Sequence, residues 1–314
     1  MAADAEAILR GSRAPLVLGI GGGGDVVGAL ATAEAMRLYD DADPVIGGLT
    51  WERRPIDPVP GPRSAGEIEG AWELAPGVLL AGPHARVAGR GVRFGEAGMA
   101  RLLGRPTVLV DIGVGPATVA RSLAAALRAL RCDLAVFVDV GGDVLAHGDE
   151  PGLRSPLCDA VMLAAAGLMA SAGQPVLLGV FGAGCDSELT AEEVLGRISS
   201  VAAAGGLCGA RGLTEPVVER LERSLSLVPT EASAQAVSAF RGACGEVTIR
   251  GGERTFALTS LAVVTFFLDV PATVASVGRL ARAVAAAGDV EDANEALHRL
   301  GVRTELDLER DAAR

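Results

Sequence analysis

Lysine is missing altogether: all 28 basic residues of this 314-residue chain are arginine. That excludes a phosphate-loop ammonium, a Schiff-base lysine and a pyridoxal attachment point, since each needs that side chain. A basic surplus is missing too. The net charge of -11 argues against nucleic acid as a partner, because such binders normally carry a basic stripe. Aromatics are only 3% while half the residues are hydrophobic, so the core must be mostly Ala, Val and Leu. The five cysteines (Cys132, Cys158, Cys185, Cys208, Cys244) show no CxxC pair and no other zinc-type spacing. No apolar run is long enough to span a bilayer, and Met1 to Arg13 lacks the apolar centre of a signal peptide. The longest greasy segment, Leu258 to Val270, suits a buried helix or strand. These absences place the protein in the cytoplasm, with reduced thiols and no membrane partner.

What is present is an alternation of strands and helices. Pro15 to Ile20 reads as a buried strand, Val26 to Tyr39 as a helix, and between them stand Gly21, Gly22, Gly23 and Gly24 followed by Asp25. Glycine tolerates positive φ and lets a backbone approach a ligand closely, and the start of the next helix favours an anion. Further strands are expected at Pro44–Thr50, Thr107–Asp111, Leu134–Asp139 and Pro175–Phe181. Helices are expected over 117–130, 155–172 (Ser155 as N-cap, Pro156 first), 190–204 (Thr190 and Glu193 in capping-box spacing), 216–227 and 231–240. Short strands are expected at Val78–Leu80 and Gly91–Phe94. A hairpin turning on Gly251-Gly252 and a last helix over 272–287 precede a charged tail. Pro55 to Arg63 reads as a surface loop over the ligand side of the sheet, where lids are often built. The expected fold is a three-layer α/β sandwich with a mostly parallel, Rossmann-like sheet. It forms a single domain over 1–314, with its core at 14–204 and a helical and hairpin extension at 205–314 packed on that core.

In an open parallel sheet, ligands sit outside the carboxyl ends of the strands. Those ends carry Gly21 to Asp25; Trp51, Glu52 and Arg53; Asp111 and Gly113; Asp139, Gly142 and Asp143; and Gly184, Cys185, Asp186 and Glu188. Carboxylates gathered at one point either bind a divalent cation or raise one another's pKa. Oxygen ligands without histidine favour Mg or Mn over zinc, with Asp139 and Asp143 as the expected ligands. Several residues have two readings. Asp25 either caps its helix or touches a ligand; Asp143 either faces the site or makes a turn. Cys185 is either a nucleophile at a helix start or packing. His147 is either the general acid–base or a loop histidine, and Trp51 either stacks on a base or sugar or anchors the core. Arg154 with Ser155 and the helix start forms either a second anion site or plain surface.

The strings Gly19-Ile20-Gly21-Gly22-Gly23-Gly24-Asp25-Val26-Val27, Gly48-Leu49-Thr50-Trp51-Glu52-Arg53, Val138 to Leu145, Leu153 to Ala160 and Gly182 to Leu189 together resemble an archaeal and actinobacterial family catalogued as a domain of unknown function, number 1152. Val228 to Ser233 and Ala293 to His298 fit it as well. The resemblance spans essentially the whole chain and implies one intact domain with an Asp/Gly site. It implies no reaction. From the residues alone, the expectation is an enzyme acting on a small anionic substrate, nucleoside-like or phosphorylated. The glycine loop would hold the anion, while Asp139, Asp143 and Asp186 bind a cation or activate water for hydrolysis or group transfer. One alternative is a nicotinamide-dependent oxidoreductase, with Gly19, Gly21, Gly24 and Glu52 holding NAD(P). Another is a non-catalytic ligand-binding protein, in which the acids are caps and turns. The sequence leaves a homo-oligomer open.

Overall fold

Strand and helix alternate from the start of the chain: α1 (Ala5–Gly11), β1 (Pro15–Gly19), α2 (Asp25–Tyr39) and β2 (Val45–Leu49). The computed structural model describes residues 4–54 and 56–314. Pro55, the first residue of the expected surface loop, and the first three residues of the chain lie outside the described residues. Next come β3 (Ile68–Ala75), β4 (Val78–Val87), α3 (Gly95–Leu103), β5 (Thr107–Val110), α4 (Pro116–Leu130), β6 (Leu134–Val140), α5 (Pro156–Ser171), β7 (Val176–Phe181) and α6 (Ala191–Ala203). The remainder is β8 (Leu207–Gly212), α7 (Glu215–Leu225), α8 (Glu231–Phe240), β9 (Gly245–Ile249), β10 (Arg254–Leu258), β11 (Val264–Leu268), α9 (Val270–Ser276), α10 (Arg279–Val284), α11 (Val290–His298) and α12 (Glu305–Ala312).

Nine strands form one sheet in the order β3-β4-β5-β2-β1-β6-β7-β11-β8. The central five, from β5 to β7, run parallel, and antiparallel strands close both edges. Helices cover both faces, which makes a three-layer α/β sandwich. The strand period of two divides the core. Leu16, Leu18, Ala135 and Phe137 pack towards α4 and α5, whereas Val17, Val136 and Val138 pack towards α2 and α7. The chain steps outward from β1 to β2 and β5, then returns to the other side of β1 with β6. That reversal opens a crevice above β1 and β6, flanked by the glycine loop and the Asp139–Asp143 turn. Gly28 permits close docking of α2 there, since a Cβ would lie 2.2 Å from Val140 Cγ2.

Four local expectations change. α1, β3, α3 and β8 were not foreseen: β3 carries acids along an exposed edge, and α3 contains two glycines that mask its apolar face. Gly91–Phe94 forms only an isolated bridge through Arg93 to Arg86. The β9–β10 connection spans four residues, with Ile249 paired to Arg254 and positive φ at Arg250, Gly251 and Gly252, so it is not a two-residue turn. The last expected helix is split at Gly278, where a Cβ would lie 2.7 Å from the Val274 Cα, and the charged tail folds back as α11 and α12. Among the described residues no helix is long and apolar enough to cross a membrane.

Candidate functional site

A cavity of about 970 Å³ lies above the crevice, lined by the glycine loop, Glu52, Arg53, Asp143, Ser155, Asp186 and Glu188, with the α3 and α7–α8 segments as its outer walls. Gly21 to Asp25 all border it. The loop is nevertheless largely committed to the protein itself. The Gly21 N–H donates to Asp25 Oδ2 at 2.9 Å and the Gly23 N–H to the Trp51 carbonyl at 2.9 Å. A Cβ at Gly24 would lie 2.3 Å from Thr230 Cβ, so that glycine admits the segment leading into α8. Asp25 thus places a carboxyl where the helix start would attract an anion. Burial, with Asp139 nearby, pushes its pKa up to about 8.

The floor is acidic. Alternation along β6 turns Asp139 to the same face as Phe137, towards α5, and α5 presents Asp159 in an otherwise apolar first half. Positive φ at Gly141 and Gly142 returns the chain so that Asp143 meets both. One carboxylate oxygen from each of Asp139, Asp143 and Asp159 lies within 4.8 Å of the others, and the same holds for Asp143, Asp186 and Glu188. The two groups differ in their partners. Glu188 accepts from the Arg154 and Ser155 N–H groups at 2.7 and 2.8 Å and from Ser155 Oγ at 2.6 Å, while Asp186 Oδ1 accepts from the Glu188 N–H. Asp139 and Asp159 are each 1% exposed, and among the described residues no donor meets any of their four oxygens in good hydrogen-bond geometry. The Asp143 carboxyl and the Gly142 and Val144 N–H groups lie near enough to Asp139 to lower its pKa, an effect that burial outweighs. Burial pushes Asp139 up to about 7. Burial and the neighbouring carboxylates hold Asp143, Asp159 and Asp186 well above the usual carboxylate range.

The start of α5, expected to be a second anion site, is filled from within. Glu305 of α12 accepts from the Leu157 and Cys158 N–H groups, both at 2.9 Å, and sits 3.2 Å from Arg53 Nη2. That Arg53 nitrogen also donates to the Gly21 carbonyl at 2.6 Å, and the guanidinium lies 4.5 Å over the Trp51 ring. Trp51 Nε1 donates to Glu309 at 3.0 Å. The folded tail therefore joins α5, the glycine loop and the end of β2, and Trp51 is a fully buried anchor rather than a stacking platform.

Other expected site residues stand apart. His147 is off the cavity: its carbonyl accepts from Arg279, its N–H donates to Glu150, and burial lowers its pKa. Asp111 and Gly113 border a separate pocket of about 310 Å³, and Asp111 is spent on the Gly113 and Ala65 N–H groups. Arg154 is exposed outside the cavity, with only its backbone N–H engaged by Glu188. Cys185 is fully buried against Leu258 and Ala262, and burial pushes its thiol up to about 12, which suits packing rather than attack. Gly142 and Gly184 serve chain geometry: a Cβ at Gly142 would meet Val194 at 2.5 Å, and one at Gly184 would meet the Ala191 N at 2.9 Å. Glu52, the expected ribose acid, accepts from the Gly95 N–H at 2.6 Å and is raised to about 7 by burial. Residues not foreseen are Asp159, Thr230, Glu305 and Glu309. Asp159 had a signal as a single acid within the apolar run Leu157 to Ala166, and Thr230 stood in the Val228 to Ser233 string that resembles the family.

Neither the curated proteins nor the solved structures give a match to this chain. A family model described as protein of unknown function (DUF1152) matches residues 16–313, and the chain belongs to that family.

Proposed function

We propose that the protein is an enzyme that uses a divalent cation, Mg or Mn, for hydrolysis or group transfer on a small anionic substrate, nucleoside-like or phosphorylated. The observation that carries this reading is the set of four unpartnered oxygens on Asp139 and Asp159. Buried carboxyls without donors are costly unless something compensates them, and a cation held with Asp143 would do so. An all-oxygen donor set fits Mg or Mn. Bound there, the ion would supply Lewis-acid polarisation of a substrate oxygen. The chain supplies the rest. Asp143 stands between the buried pair and the cavity, and Asp186, its Oδ1 engaged by Glu188, is left with Oδ2 to hold or accept a proton. The dinucleotide reading draws less support. Its pyrophosphate would compete with the Asp25 carboxyl at the helix start, and its ribose acid is already bonded to Gly95.

The test is calorimetric titration of EDTA-treated protein with MnCl₂, beside a turnover screen of nucleoside-like and phosphorylated compounds run with and without Mn. Saturable binding that Asp159→Asn and Asp139→Asn abolish, with the folded far-UV spectrum retained, is the expected result. Absent binding, or binding indifferent to both substitutions, refutes the cation site.

A further inference from the structure

The mouth of the cavity has the opposite character to its floor. Arg54, Arg93 and Arg101 line it, contributed by the segment after β2, the segment before α3 and the last turn of α3. In a chain with 39 acidic residues, these three exposed arginines have no carboxylate within 4.0 Å and no side-chain hydrogen bond among the described residues. A fourth, Arg250, lines the cavity 3.9 Å from Glu231. Exposed guanidinium groups with no partner in the chain are free to pair with an anion that enters the cavity. Guanidinium groups also match phosphate oxygens in forked geometry. Part of the wall is apolar: Ile56, Pro83, Phe94, Leu225, Leu227 and Pro229. Ile56 and Leu227 remain 50% and 38% exposed there, so an apolar ligand would gain by covering them. The glycine loop offers an anion less, because Asp25 and Thr230 already occupy its approaches.

We propose that Arg54, Arg93 and Arg101 bind the phosphate of an organic phosphate whose apolar body lies along this wall and whose far end reaches the acidic floor. The assignment rests on the catalytic reading above for the reacting end. It puts the substrate's charge at the mouth instead of at the glycine loop.

Three probes separate the two ends: inorganic phosphate, 1-naphthyl phosphate and Mn²⁺, each titrated calorimetrically, the phosphates in the presence of EDTA. 1-Naphthyl phosphate should bind at least about 10-fold more tightly than inorganic phosphate, as burial of a ring predicts. The Arg93→Met/Arg101→Met double variant should weaken both phosphates by about 10-fold or more and leave Mn²⁺ binding unchanged. Asp159→Asn should do the reverse, losing Mn²⁺ and keeping the phosphates. The proposal is overturned if neither phosphate binds wild type, if both bind it equally, if the arginine variant binds them as wild type does, or if Asp159→Asn abolishes them. Loss of Mn²⁺ binding in wild type alone would sink the cation site and leave the phosphate result to stand or fall by itself.

Discussion

Glu305→Ala is the sharpest test of how the tail supports the site. The carboxylate is 4% exposed, pairs with Arg53 at 3.2 Å and accepts from two N–H groups at the start of α5. Removing one partner of a fully buried ion pair costs about 3–5 kcal/mol, but Arg53 is 23% exposed and keeps Glu309 at 4.0 Å, so the loss here should be about 2–3 kcal/mol. Loss of a helix cap alone costs about 0.5–2 kcal/mol, and the two overlap here since one carboxylate does both jobs. At roughly 2 cal/mol/K per residue, the unfolding entropy of a chain of about 300 residues is roughly 0.6 kcal/mol/K, so a loss of about 2–3 kcal/mol lowers Tm by about 3–5 °C. Scanning calorimetry with urea titration as a check on two-state behaviour measures it. Glu305→Gln, which keeps one acceptor oxygen, should lose less. Arg53→Met in combination should lose less than the sum of the singles, because the two residues share one interaction. A Glu305→Ala protein that melts within about 1 °C of wild type would refute the reasoning, since the pair would then be worth no more than an exposed one.

Three further outcomes follow from the same geometry. Asp139 in the cation-free fold is raised from 3.8 to about 7, so the native state keeps a proton that the unfolded chain has released; that stability is fully present below about pH 4 and is lost as pH rises through about 7. A cation competes with that proton, so Mn²⁺ affinity should climb between pH 6 and pH 7.5, on the order of 10-fold per proton displaced per unit, with proton release visible as a buffer-dependent titration enthalpy. A flat profile across that range would contradict it. Iodoacetamide on the native protein should modify the exposed Cys244 and spare Cys185, whose thiol is buried and raised to about 12; mass spectrometry of the peptides decides, and equal labelling of both would show that the Cys185 environment is wrong. Gly24→Ala should destabilise the fold by about 1–3 kcal/mol in urea, because its Cβ would overlap Thr230. Thr230→Gly in the same background should recover part of the loss, and no recovery would mean that the strain lies elsewhere.

The centre of the fold was legible because local and long-range signals agree there. β1, β5, β6 and β7 are short apolar runs ending in glycine or acid, and Ser155-Pro156 and the Thr190/Glu193 box mark real helix starts. Where an element's reason is tertiary, the sequence was silent. β3 is exposed along most of its length and is held by pairing with β4, so it shows no buried face to read. The tail has an ordinary charged composition, and nothing local shows that Glu305 and Glu309 turn inward onto Arg53 and Trp51. The glycine loop misled in a different way. Its pattern correctly marks close backbone approach, but much of what approaches is Asp25, the Trp51 carbonyl and Thr230 from this same chain.

The acidic floor follows from parity. Asp139 is two residues beyond Phe137, so it must point into the α5 face of the core, where a hydrophobic side chain would ordinarily stand. Asp159 faces it from a helix that is apolar on nearly every side, so each acid occupies a place that packing alone would give to leucine or valine. Replacing both with apolar residues of similar volume should therefore leave the cation-free chain at least as stable in urea unfolding, as is common for buried ionisable groups. Burial and the neighbouring carboxylates favour the protonated form of these acids, and the proposed cation would take the place of those protons in the space the pair shares with Asp143. The cation is proposed at this pair, and not at Asp186 and Glu188, because the latter already accept hydrogen bonds from the chain.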